Sequence, residues 1–120
     1  MSTSTTLNLS TVETRFDRLS DITDRVALIN SVYDSDLNGA FDEMESFIGD
    51  ARTWDPAEMD EDARRFYLSH MSFHREIVAE IISEARRVLL DDRRPFVKRL
   101  VNYHREFSKW LTGLERKYPI

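Results

Sequence analysis

Residues 57–90 read AEMDEDARRFYLSHMSFHREIVAEIISEARRVLL, and this stretch contains no Gly and no Pro. Apolar and histidine residues recur through it at intervals of three and four, which is the spacing of one face of an α-helix. With no breaker, the spacing predicts one helix of about 34 residues, about 50 Å long. Asp55 suits its N-cap and Pro56 its first position. We call such a row of residues on one helix face a stripe, and this one is the third along the chain. It consists of Met59, Ala63, Phe66, Tyr67, His70, Phe73, His74, Ile77, Val78, Ile81, Ala85, Val88 and Leu89.

Two earlier stretches show the same helical spacing. The first begins at Ser10, which forms a predicted capping box with Glu13, and it continues to Tyr33. The second runs from Leu37 to Ala51. The spacing leaves open whether these two stripes form one bent helix or two helices.

A fourth stripe follows residue 96. It runs from Val97 to Tyr118, with Asp91 and Asp92 as candidate caps and Pro95 in the first turn. No segment alternates between apolar and polar residues. The sequence therefore predicts an all-α fold, an antiparallel bundle of about four helices.

The composition fits one small soluble domain. Hydrophobic residues make up 41% and charged residues 32% of the 120 residues, and cysteine is absent. We expect residues 1–9 to form a flexible tail and residues 10–120 to form the bundle. No apolar run is long enough for a membrane span, and the first residues lack a signal-peptide pattern, so we expect no membrane partner and a cytoplasmic location.

The charge is divided between the two halves of the chain. Residues 1–62 hold 15 acidic and 4 basic residues, whereas residues 63–120 hold 7 acidic and 13 basic residues. The favoured interpretation is that acidic early helices lie beside basic late helices. The alternative is nucleic-acid binding by the basic half, which is less favoured because the acidic half would repel phosphates and no binding motif accompanies the basic one.

All three histidines fall on the stripes. His70 and His74 share a helix face, and two imidazoles at that spacing suit one metal ion in a hemerythrin-like bundle. The third histidine, His104, is predicted about 8 Å away from His74 along the bundle, too far for a shared ion. We expect structural histidines and no metal, and keep a site at His70 and His74 as the alternative.

Motifs of enzymes are absent from the sequence. It contains no G-x-S-x-G elbow, no P-loop and no G-x-G-x-x-G turn. We therefore expect no catalytic residues, no cofactor and no enzymatic activity.

A basic cluster surrounds the connection between the third and fourth stripes, and it is the candidate surface for an acidic partner protein. Aromatic residues dominate interface hot spots, so Trp110 is added as a candidate anchor. The long third stripe also predicts a homodimer that covers surplus apolar surface. The predicted partner-binding residues are Arg86, Arg87, Arg93, Arg94, Lys98, Arg99 and Trp110.

Two stretches resemble the helical domain shared by the C-terminus of the clock protein KaiA and the N-terminus of the phosphatase RsbU. Residues 72–81, SFHREIVAEI, resemble one helix of that domain, and residues 89–93 with Phe96, Val97, Leu100 and Phe107 resemble its final helix. In the family a Pro-containing turn lies shortly before the histidine helix, whereas Pro56 precedes His74 by 18 residues here.

The resemblance implies a dimeric four-helix domain that binds a partner protein and regulates kinase or phosphatase output. In that case His74 packs between helices. Residues 110–118 are also similar to the end of hemerythrins, although the metal histidines of that family do not follow. The combined hypothesis is a non-enzymatic regulatory module for protein–protein interaction.

Overall fold

The computed structural model describes residues 8–30, 36–88 and 93–119, with the side chain of Asn30 excepted. These residues form an all-α bundle, as predicted, and no strand occurs among them. Two single 3₁₀ turns, Ala27–Asn30 and Pro56–Glu58, accompany the helices. The four α-helices are α1 (Leu9–Val26), α2 (Leu37–Ala51), α3 (Glu61–Val88) and α4 (Arg94–Lys117).

The start of α1 differs from the prediction. Asn8 caps the helix, because its Oδ1 accepts a hydrogen bond from the amide of Thr11 at 2.9 Å. Ser10 lies inside the first turn, where its carbonyl accepts from the hydroxyl of Thr14 at 2.8 Å. The predicted capping box at Ser10 is therefore wrong. Residues 1–7 of the predicted tail lie outside the described residues.

The first two stripes are two separate helices. Asp36 caps α2, and its Oδ1 accepts from the amide of Gly39 at 2.9 Å. A Cβ atom at position 39 would lie within 3 Å of the Asp36 carboxyl group, so that side chain would have to shift if another residue replaced Gly39. Gly39 thus leaves room for the capping carboxylate at the start of α2.

The long third helix is shorter than predicted. Asp55 accepts from the amide of Ala57 at 3.0 Å, but it caps only the Pro56–Glu58 turn. Asp60 begins α3, since its Oδ1 accepts from the amide of Ala63 at 2.8 Å. The helix has 28 residues, which corresponds to about 42 Å. Pro95 lies in the first turn of α4 as predicted, whereas the candidate caps at positions 91 and 92 lie outside the described residues.

Two apolar clusters show that consecutive helices run antiparallel. The first half of α1, the second half of α2, the first half of α3 and the second half of α4 share one cluster, here named the lower cluster. The remaining halves form the upper cluster. Buried members of the lower cluster include Phe16, Ile48, Tyr67 and Phe107, and those of the upper cluster include Ile22, Phe41, Val78 and Leu100.

The bundle covers most of the third stripe. Tyr67 is fully buried and Ile81 is 7% exposed. Phe73 is 58% and Val88 36% exposed, and 15 helical residues place them about 22 Å apart. The expected continuous apolar surface along α3 is therefore reduced to separate exposed side chains.

Candidate functional site

The histidines lie in the middle of the bundle, where α3 packs against α1 and α4. His74 is buried, and its Nε2 is 2.7 Å from the hydroxyl of Tyr103 on α4. His104 uses Nε2 to donate a hydrogen bond to the carbonyl of Arg75 at 3.2 Å. Positions 74–75 and 103–104 are therefore neighbours across the α3–α4 interface. The predicted separation of about 8 Å along the bundle is wrong, because counting residues from the turn ignores how the two helices shift as they pack.

Burial sets the charge state of His74. It lowers the pKa of His74 to about 4, and repulsion from His104 acts in the same direction. Burial also raises the pKa of Tyr103 above its usual value. Both partners of the 2.7 Å hydrogen bond are thus neutral near pH 7. This arrangement suits a structural link between two helices.

The alternative metal site involves His70 and His74. Both residues line one cavity between α1 and α3, which fits their predicted common face. His70 donates from Nδ1 to the carbonyl of Phe66 at 3.1 Å, and its ring stacks on the Phe66 ring at 3.8 Å. Within the described ranges, no group of three or more His, Asp or Glu side chains is placed to hold a metal ion. The observed bonds give both rings structural partners.

Part of the predicted basic surface forms a groove between the end of α3 and the start of α4. Arg86 on α3 and Arg94 and Lys98 on α4 all line it. The groove encloses about 330 Å³. The sequence did not indicate that the groove has an apolar floor. Val97 and Val101 are four residues apart, as are Arg94 and Lys98. The apolar lining residues are Ala85, Val97 and Val101.

The other predicted partner-binding residues lie elsewhere. Arg87 is paired with Glu84 on its own helix. Arg99 bonds Asp42 at 2.8 Å and is also paired with Glu45, so it links α4 to α2.

The last two of these residues, Arg93 and Trp110, are also not among the residues that line the groove. Arg93 precedes the first residue of α4 and is half-buried. Trp110 packs against the lower cluster under the guanidinium of Arg52, whose carbon is 5.1 Å from the ring centroid. Because Lys98 and Trp110 are 12 residues apart on one helix, about 18 Å separates them. Trp110 is thus not part of the groove.

Some of the opposite charges on the two halves of the chain meet in ion pairs. Arg99 on α4 pairs with the two α2 carboxylates named above, which agrees with the prediction that acidic early helices lie beside basic late ones. Arg75 forms a bidentate ion pair with Glu115 within the basic half, through hydrogen bonds of 3.0 and 3.1 Å. The groove cations Arg86 and Lys98 are exposed instead.

No protein-family model matches the chain, and no match is found among curated proteins or solved structures. The resemblance to the KaiA and RsbU domain therefore rests on the quoted residues alone. None of the described helices is long and apolar enough to span a membrane.

Proposed function

We propose that this chain is a non-enzymatic regulatory module that binds an acidic amphipathic helix of a partner protein in the α3–α4 groove. The observation that carries the proposal is the pairing of an apolar floor with exposed cations on both walls. Arg86 stands on the α3 side and Lys98 on the α4 side, above Val97 and Val101. This combination favours a ligand that is both apolar and negatively charged.

The groove is large enough to receive apolar side chains of a partner helix, since it encloses about 330 Å³. Two apolar side chains four residues apart on a partner helix would cover the floor, and acidic residues beside them would reach the cations. This is the helix-in-groove mode of peptide recognition. Apolar contact would supply affinity, and charge complementarity would set the orientation and reject a helix of the wrong charge.

The regulatory part of the proposal rests on the resemblance described above. That resemblance implies control of a kinase or phosphatase by a bound helical domain. An acidic docking helix on such an enzyme is the partner chemistry that this groove supports.

A designed peptide tests the proposal. The probe is a helical peptide with Leu at i, i+3, i+4 and i+7 and Glu at the flanking positions, measured by fluorescence anisotropy. We expect saturable binding that weakens with salt and is lost when Lys replaces Glu in the peptide. The double variant Arg86→Glu/Lys98→Glu should abolish binding. No binding to the wild-type protein, or equal binding to this variant, would contradict the proposal.

A matched control separates the groove from general charge. Lys109→Glu/Arg116→Glu makes the same change of net charge on exposed residues of α4. Arg116, like Arg86, lies in the last turn of its helix, so both variants lose the same favourable interaction with the helix dipole. We expect this control to bind the peptide like the wild-type protein.

We further propose that the chain forms a homodimer through the end of the bundle where the Ala27–Asn30 turn packs against α3. Leu28 in that turn is 41% exposed and Val88 is 36% exposed. Val88 and Arg86 point about 200° apart around α3. A dimer through Val88 would therefore leave Arg86 pointing away from the dimer contact.

A further inference from the structure

A second cavity lies between α1 and α3, and it has a different character from the groove. It encloses about 370 Å³, within the range of about 300–1,000 Å³ typical of small-molecule sites. Phe73 lines it and is also 58% exposed, so this ring stands where the cavity opens to solvent. The apolar lining residues are Phe16, Leu19, Phe66, Phe73 and Ile77.

The charged groups among the described residues that line this cavity are all acidic. Asp17 and Asp24 line it from α1, with Ser20 between them. Their spacing of three and four residues places the three side chains on one face of the helix. Among the described lining residues there is no Lys and no Arg. An anionic ligand would meet repulsion here, and a cation would meet attraction.

Aromatic faces add to this preference. The ring of Phe16 is 5.8 Å from that of His70 and 6.1 Å from that of Phe66. Because Nδ1 donates to the Phe66 carbonyl, the neutral tautomer of His70 with this bond presents the Nε2 lone pair as an acceptor. His74, the other lining imidazole, is neutral near pH 7 for the reason given above. Aromatic faces and acceptors both favour an organic cation.

We propose that this cavity binds a small organic ammonium ion with an apolar body. The body lies among Phe16, Phe66 and Phe73, and the ammonium group lies at the acidic edge that Asp17 and Asp24 form about 10 Å apart along α1. A bare metal ion is a poorer fit, because the described residues supply no group of three or more ligands for it. The site would give a protein-binding module an input from a small molecule.

The test is an NMR titration of the full chain with 2-phenylethylammonium, together with 3-phenylpropionate as an anionic analogue of similar size. We expect the amine to cause saturable shifts at the amides of Phe73, His74 and Ile77. The anion should cause none. Absence of shifts with the amine, or equal shifts with the anion, would overturn the proposal.

Variants locate the charge that attracts the amine. Asp17→Asn/Asp24→Asn should weaken binding about fivefold, since one exposed ion pair contributes up to about 1 kcal/mol. Glu13→Gln/Asp21→Asn removes two other exposed carboxylates of α1 and should bind like the wild-type protein. Equal weakening by both pairs would show general charge attraction and overturn the site. Arg86→Glu/Lys98→Glu should still bind the amine. The proposal for this cavity and the proposal for the groove are therefore tested independently.

Discussion

The hydroxyl of Tyr103 lies 2.7 Å from Nε2 of His74, and this pair joins the middle of α3 to the middle of α4. The two rings meet edge to face, with centroids 5.9 Å apart. His74 also packs edge to face on Phe107, at 5.2 Å. The polar pair is thus packed against aromatic side chains, and the burial of His74 keeps its imidazole neutral.

This environment predicts that acid destabilises the fold. The folded-state pKa of His74 is lowered to about 4 from 6.5. Between these pH values the unfolded chain takes up a proton that the folded chain does not, so the free energy of unfolding falls as the pH drops. The full shift is worth about 3 kcal/mol. Urea unfolding of the wild-type protein and of His74→Gln, measured from pH 7 to pH 4, should show a steeper loss for the wild-type protein.

Parallel pH profiles for the two proteins would contradict this prediction. If His74→Gln does not fold, NMR titration of the wild-type protein answers the same question. The imidazole signal of His74 should then show no protonation down to about pH 5. A midpoint near the ordinary histidine value would show that burial does not control this group.

The N-terminal cap gives a second prediction. Asn8→Ala removes the side chain that bonds the amide of Thr11 and should lower the free energy of unfolding by about 1 kcal/mol. Ser10→Ala removes a hydroxyl inside the first turn and should change it by only a few tenths of a kcal/mol. Thermal or chemical unfolding of both variants checks this. A larger loss for Ser10→Ala would restore the capping box predicted from the sequence.

The helices could be predicted from the sequence, but the starts of α1 and α3 could not. Asn8 and Ser10 both have side chains that can cap a helix, and Leu9 between them packs against the lower cluster. Tertiary packing therefore favours the earlier start. Asp55 and Asp60 present the same competition before α3, and only the second begins the long helix.

The site was predictable only in part, because adjacent residues on a helix point about 100° apart. A run of basic residues in sequence therefore divides among different surfaces. Lys98 lines the groove, whereas Arg99 pairs with α2. The same limit applies to His74 and His104, since the register between two helices depends on packing across their interface.

The proposed dimer makes a third prediction. Val88→Asp places a charge on the exposed apolar end of α3 and should shift light scattering from dimer to monomer. Thr112→Asp adds the same charge at an exposed position of α4 outside this end and should leave the dimer intact. Ile81 on the same helix is buried, so its replacement would report on folding instead. A monomeric wild-type protein at micromolar and higher concentrations would contradict the dimer.

The central claim is that the α3–α4 groove recognises an acidic amphipathic helix, and selection from a random peptide library tests it most directly. Peptides of about 16 residues, long enough for four helical turns, are selected on the wild-type protein. They are then compared on Arg86→Glu/Lys98→Glu and on Lys109→Glu/Arg116→Glu. We predict enriched peptides with net negative charge and apolar residues at intervals of three and four, which lose binding only to the groove variant. Enrichment of basic or patternless peptides, binding that survives the groove variant, or no enrichment at all would contradict the account.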